Sequence, residues 1–222
     1  MENDPSVPYS RIAAFLRQHT HDVRNNLNGL DLEAALLADI VTDEEAREAV
    51  KRLRAQIREA ASGLRALSTK LADPQPSRAS ISTQDLFLIW QDEATRLGLG
   101  TIAWAAALGG ERTNLDATAM AAVFRELLTN AKKFGDSQGL VAMANICGEQ
   151  VVFELREPAK DVVKPSEWGS TPFVSTGRGS YGLGLWEADR LVRACGGEVT
   201  REVLSDGKLV TKLTFPLEKV PG

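Results

Sequence analysis

The 222-residue sequence holds only two cysteines, Cys147 and Cys195, and only two histidines, His19 and His21. The cysteines lack C-x-x-C spacing, and two histidines cannot complete a ligand set. A disulfide framework and structural zinc are therefore not expected, and both thiols read as small core residues. Long apolar runs are also missing. The best of them, residues 34–41, is broken by Asp39 and falls far short of the ~20 residues of a membrane span. Residues 1–10 are polar and contain proline, with no apolar stretch of the kind that marks a secretory leader. A cytoplasmic protein without membrane association is expected. Lys and Arg form no dense cluster and the net charge is −4, so nucleic acid is not an expected partner.

What is present divides in two. After Pro8 the first part is interrupted only by Gly29 and Gly63, up to the linker-like run Asp73-Pro74-Gln75-Pro76-Ser77. Thr42 with Glu45 three residues on has the form of a capping box, so a second helix is expected to start there. Its apolar positions, Val50, Leu53, Ile57, Ala60, Leu64, Leu67 and Leu71, alternate in steps of three and four, a heptad seam. The first helix carries a similar stripe through Ile12, Leu16, His19, Val23, Asn26 and Leu27, Leu30, Ala34 and Leu37. Two such helices form an antiparallel hairpin. One hairpin covers its seams poorly, so a homodimeric four-helix bundle is expected; a monomer that packs this seam on the second domain stays open.

The second part mixes helix and strand patterns. Helices are predicted over 82–97, from an N-cap at Asp116 to about residue 134, and over 183–195, where Gly196-Gly197 stops the last one. Strands are predicted over 101–106, 140–147, 151–157, 198–204 and 208–215. Residues 158–182 read as loop. The expected fold is α+β: a helical hairpin over residues 1–75, then an α/β sandwich over 80–222.

His21 lies two residues from both His19 and Val23, about 200° around the helix from the seam, so it points to solvent. A histidine that accepts phosphate must be exposed, with its attacking nitrogen unprotonated. Asp22 is suited to hold the proton of the other ring nitrogen. Asn25, at i+4 from His21, shares its face and is suited to orient a water for dephosphorylation. Further on, Glu126, Asn130 and Lys133 fall at i, i+4 and i+7 of one helix. An acid, an amide and an amine on one face suit a Mg²⁺-phosphate group. The segment after Pro172-Phe173 carries Gly177, Gly179, Gly182 and Gly184 and then opens a helix. Glycine allows close backbone approach to phosphate, and a helix N-terminus favours the anion.

Together these segments resemble the bacterial two-component sensor histidine kinases. His21-Asp22-Val23-Arg24-Asn25-Asn26-Leu27 looks like the phosphoacceptor box of that family, with Asn26 where proline is usual. Residues 126–134 look like the N box, with Asn130 at the Mg²⁺-binding position. Pro172-Phe173 looks like the phenylalanine box, and Gly182-Leu183-Gly184-Leu185 like the second glycine box. The resemblance runs from about residue 10 to 216. It implies a dimerisation and phosphotransfer hairpin, an ATP-binding domain using ATP and Mg²⁺, and a response-regulator receiver domain as partner. One departure concerns the first glycine box, whose aspartate binds the adenine amine. Val151, Phe153, Leu155 and Glu157 share a strand face, so Glu157 takes the aspartate slot by parity, followed by Pro158 in place of the glycines. A second departure is the short stretch before the first helix, which leaves no room for an input domain, so the signal or the phosphate is expected from a partner. Four readings follow: an ATP-using histidine kinase, an ATP-independent histidine phosphotransferase with a degenerate nucleotide domain, a non-catalytic dimeric module that holds a response regulator, and, ranked last, a serine kinase of the anti-sigma type.

Overall fold

The computed structural model describes residues 9–134, 139–158, 172 and 182–219. The chain forms two compact units, residues 1–73 and 74–222.

The first unit is a pair of long helices, α1 (Tyr9–Ile40) and α2 (Glu44–Leu71). Asp31 of α1 pairs with Arg54 at 3.0 Å and Arg58 at 3.3 Å, and the Arg17 guanidinium donates to the Leu71 carbonyl at 3.3 Å. Position 31 meets 54 and position 17 meets 71, so the helices run antiparallel. The helix α1 continues through Asn26 and Gly29 without a break. Inside the hairpin Ala13, Ala34, Ile57 and Leu71 are buried. Other members of the stripes stay open within one chain: Ile12 is 39% exposed, Leu30 and Leu37 50%, Leu53 47%. His19 is also exposed, stacked at 5.9 Å on the Phe15 ring. The cap of α2 differs from the expectation. Asp43, not Thr42, is the N-cap, and its carboxylate accepts from the Ala46 backbone N–H at 2.8 Å. An aspartate at this place answers the helix dipole as well as the orphan N–H, so it wins over the neighbouring threonine.

The second unit is a layer of helices on one face of a mixed sheet. Its elements are β1 (Ala79–Ser82), α3 (Thr83–Arg96), β2 (Ala103–Ala107), β3 (Arg112–Leu115), α4 (Ala117–Phe134), β4 (Val141–Cys147), β5 (Gln150–Pro158), α5 (Gly184–Ala194), β6 (Glu198–Val203) and β7 (Lys208–Pro216). The large sheet has the order β2-β4-β5-β7-β6, with β2 parallel to β4 and the other pairs antiparallel. β1 and β3, which sequence patterning does not reveal, pair antiparallel as a separate ribbon.

Alternation along the strands sorts the two faces. Register places Ala144, Phe153 and Leu213 side by side, with Ala142 beside Leu155 and Val151 beside Phe215, and all of them are buried. Against this face pack Leu86 and Trp90 of α3, Val123, Phe124, Leu127 and Leu128 of α4, and Val192 of α5. Trp90 stacks on Phe124 at 5.0 Å and meets Trp104 and Phe153 edge-on at 5.5 and 5.9 Å, geometries that aromatic rings favour. The opposite face carries charge: Glu154 pairs with Arg156, and Lys212 with Glu202 at 2.8 Å. One solvated face and one dry face is the usual economy of an antiparallel sheet. Two ion pairs built on buried carboxylates tie the helices down, the first to a half-exposed arginine and the second to a buried one. Glu93 of α3 takes both nitrogens of Arg125 of α4 at 2.7 and 3.0 Å, and Asp189 of α5 takes Arg201 of β6 at 2.6 and 2.9 Å.

Candidate functional site

On α1, one turn and its neighbours carry Gln18, His21, Asp22 and Asn25. The His21 side chain is 55% exposed. Its Nδ1 lies 3.3 Å from Asp22 Oδ1 and 3.3 Å from Asn25 Nδ2. The same Asp22 oxygen accepts from Gln18 Nε2 at 3.0 Å. The hydrogen bond from His21, and after it that from Gln18, holds the Asp22 carboxyl below the usual carboxylate range; a hydrogen bond made to the charged form favours that form. Both contacts of the ring fall on Nδ1. When Nδ1 carries the proton and donates it to Asp22, Nε2 keeps its lone pair, and a neutral imidazole nitrogen of that kind is a nucleophile. Sequence patterning finds His21, Asp22 and Asn25; it passes over Gln18, whose i, i+4 spacing to Asp22 was the available signal.

On α4, Asn130 is partly buried. Its amide nitrogen donates to the Glu126 carbonyl and to Glu126 Oε1, both at 2.9 Å. That satisfies the nitrogen and turns the amide so that Oδ1 is the available end. Glu126 in turn lies against the first residue of α5: a Cβ built on Gly184 would sit 1.7 Å from Glu126 Oε1. Gly184 is thus a place where the carboxylate and the start of a helix meet closely only because no side chain intervenes. Gly182, two residues before, has φ of 63°, the left-handed region that glycine enters freely. Lys133 lies on α4, exposed. Gly177 and Gly179 lie outside the described residues, as does Phe173.

Among the described residues no three of His, Cys, Asp and Glu gather as a metal site. Mg²⁺ does not need such a cage, since one or two oxygen ligands with substrate phosphates and water suffice. The Glu126 carboxylate and Asn130 Oδ1 are hard oxygen donors of the right kind, beside a glycine at a helix start. This donor set fits a Mg²⁺-phosphate group.

Glu157 closes β5 on the core face, in the same parity as Val151, Phe153 and Leu155, and pairs across the ladder with Leu209. Burial pushes its carboxyl up to about 7, against the opposing pull of the Arg201 charge. At neutral pH this acid is therefore divided between neutral and charged forms. Arg201 and its partner Asp189, unmarked by any motif, make that end of the strand an ionisable cluster.

No protein-family model matches the chain, and no curated protein matches it. Solved structures do. Full-length ShkA, in a complex with AMPPNP, superposes with a TM-score of 0.69 over 94% of the chain at 23% identity; the chain spans 47% of ShkA, about half its length. The Acinetobacter baumannii histidine kinase AdeS is similar over 90% of the chain and 98% of its own, with a TM-score of 0.54 and 14% identity. The mycobacterial sensor histidine kinase MprB is similar over 64% of the chain and 99% of its own, with a TM-score of 0.52 and 14% identity. The chain has the fold of bacterial sensor histidine kinases, helical hairpin and sheet included.

Proposed function

We propose that this chain is a protein-histidine kinase of a two-component pathway. In this reading residues 1–75 form the dimerisation and phosphotransfer hairpin and residues 80–222 bind ATP. His21 takes the γ-phosphoryl group and yields it to an aspartate of a response-regulator receiver domain. The observation that supports the reading is the exposed His21 side chain with both of its hydrogen-bond contacts on Nδ1, which leaves Nε2 as the candidate attacking atom.

Nε2 directs its lone pair at the γ-phosphorus. The N–P bond forms as the P–O bond to the β-phosphate breaks, and the leaving electron pair stays on ADP. The ring becomes positive and its Nδ1 proton is held or taken by Asp22. Such a transfer needs little covalent work from the protein; positioning and charge neutralisation supply most of the acceleration. Asn130 and Glu126 would hold Mg²⁺, whose charge neutralises the phosphate oxygens. Gly182 and Gly184, with Gly177 and Gly179 before them, would let the backbone approach the phosphates, Lys133 would add a cation, and Glu157 would accept from the adenine amine. Asn25, one turn from His21 on the same face, would orient a water for dephosphorylation. Pairing of two hairpins would cover the apolar residues that α1 leaves open.

The test is transfer of labelled γ-phosphate from MgATP into wild type and His21→Ala. Acid-labile label that disappears in His21→Ala supports the kinase. A specific observation favours a second reading, the ATP-independent phosphotransferase: Glu157, longer than aspartate and pushed by burial toward its neutral form, is a weaker acceptor for an adenine amine. Label that enters His21 only from a phosphorylated receiver domain, with no heat of MgATP binding, would establish that reading. No label from either source would leave a binding module.

A further inference from the structure

The contacts around His21 share atoms in a way that makes them mutually exclusive. Nδ1 of a neutral imidazole is either a donor or an acceptor. As a donor it satisfies Asp22 Oδ1 at 3.3 Å and meets the Asn25 amide N–H head-on. As an acceptor it takes the Asn25 N–H, also at 3.3 Å, and leaves a carboxylate lone pair facing its own. The first arrangement places the ring proton on Nδ1 and bares Nε2. The second moves the proton to Nε2, which then has no lone pair for phosphorus. Asp22 and Asn25 therefore compete for one atom, and the outcome decides whether the ring is a nucleophile.

Gln18 enters this competition on one side. Its Nε2 donates at 3.0 Å to Asp22 Oδ1, the oxygen that faces the ring. Gln18 and Asp22 are four residues apart on α1, and both are exposed. An exposed aspartate has several rotamers, only some of which reach Nδ1; a donor one turn earlier favours the one that does. We infer that Gln18 is a positioning residue which, through Asp22, biases His21 toward the tautomer with a bare Nε2, while Asn25 biases it the other way. This rests on the reading of His21 as the phosphate acceptor, yet its primary readout does not use phosphate at all.

The test is the nitrogen-15 NMR spectrum of the His21 ring in the full chain near pH 8, where long-range correlations tell Nδ1–H from Nε2–H. Gln18→Leu should move the ratio about twofold toward Nε2–H, the scale of one exposed i, i+4 hydrogen bond. Asn25→Leu should move it toward Nδ1–H. Gln18→Lys, which restores a donor at the same reach, should return the wild-type ratio. Far-UV dichroism should be unchanged in all three. A ratio that stays at the wild-type value in both Gln18→Leu and Asn25→Leu, or Gln18→Lys behaving as Gln18→Leu, overturns the inference. In the MgATP assay Gln18→Leu should lower the rate of label uptake about twofold with KM for ATP unchanged. If the tautomer shifts as described but wild type takes up no label from any donor, the inference stands and the kinase reading fails; label uptake with an immobile tautomer ratio means the reverse.

Discussion

In the helical hairpin Ile12, Phe15, Leu30, Leu32, Leu36, Leu37, Ile40 and Leu53 stand 39–74% exposed, whereas in the α/β unit only Leu88 and Val203 do so among the described large apolar residues. Both units are amphipathic throughout. The difference is what faces the apolar side. A helix layer covers one face of the five-stranded sheet, and strand alternation sends Phe153, Leu155 and Phe215 inward beneath it. Two helices packed on each other bury one contact line, and an apolar stripe wider than that line stays open within the hairpin. Among the described residues the α/β unit covers most of its large apolar side chains within one chain, while the hairpin leaves several open, which is the surface that the proposed pairing of two hairpins would cover.

All four tryptophans lie in the second unit, and the long helices dominate the first, so tryptophan fluorescence and far-UV dichroism follow the two separately. The sharpest break is Arg201→Ala. Asp189 and Arg201 are 6% and 5% exposed, and removing one member of a buried pair costs about 3–5 kcal/mol. Urea unfolding followed by tryptophan emission should shift by that amount, with the helical signal far less affected. Leu36→Glu together with Leu37→Glu should instead strike the hairpin. Each leucine covered in a pair of hairpins contributes about 1.5–3 kcal/mol. The sedimentation coefficient should fall to that of a monomer and the helix melt should lose its dependence on protein concentration, with fluorescence unfolding unmoved.

Glu157→Gln tests the second unit by pH. The folded carboxyl titrates near 7 while the unfolded one titrates near 4.5, so between those values the folded chain holds a proton that the unfolded chain has lost. Stability must fall as pH rises through that window and level off above it. The glutamine variant should lack the slope and be more stable at pH 8 by roughly 2 kcal/mol, allowing for the partial access of water to this group. The smallest effect belongs to the cap. Asp43→Ala should cost about 1 kcal/mol in the dichroism melt, and Thr42→Ala almost nothing, since the aspartate alone holds the Ala46 N–H.

Legibility from sequence followed the range of the interactions. The helices α1 and α2 announce themselves because the seam repeats many times within each. The strands β4, β5 and β7 show alternation long enough to recognise, and parity alone placed Glu157 on the inner face. By contrast β1 and β3 have four residues each, Ala-Ser-Ile-Ser and Arg-Thr-Asn-Leu. So short a stretch displays no period, and it becomes a strand only through a partner some thirty residues away. The pairing of Asn130 with Glu126 followed from i, i+4 spacing. The approach of Gly184 to Glu126, and of Arg201 to Glu157, joins separate elements and had no local trace.

The nine-residue strand β5 is clamped on both edges, by β4 and by β7. Each of its positions is committed to one side of the sheet. Inserting or deleting one residue upstream would send Glu157 outward and would at the same stroke turn Val151, Phe153 and Leu155 into water. The acid and the core are thus locked into one reading frame. A change of chemistry at this end of the strand that spares the core must therefore come as an exchange of side chain in place, not as a shift of the chain.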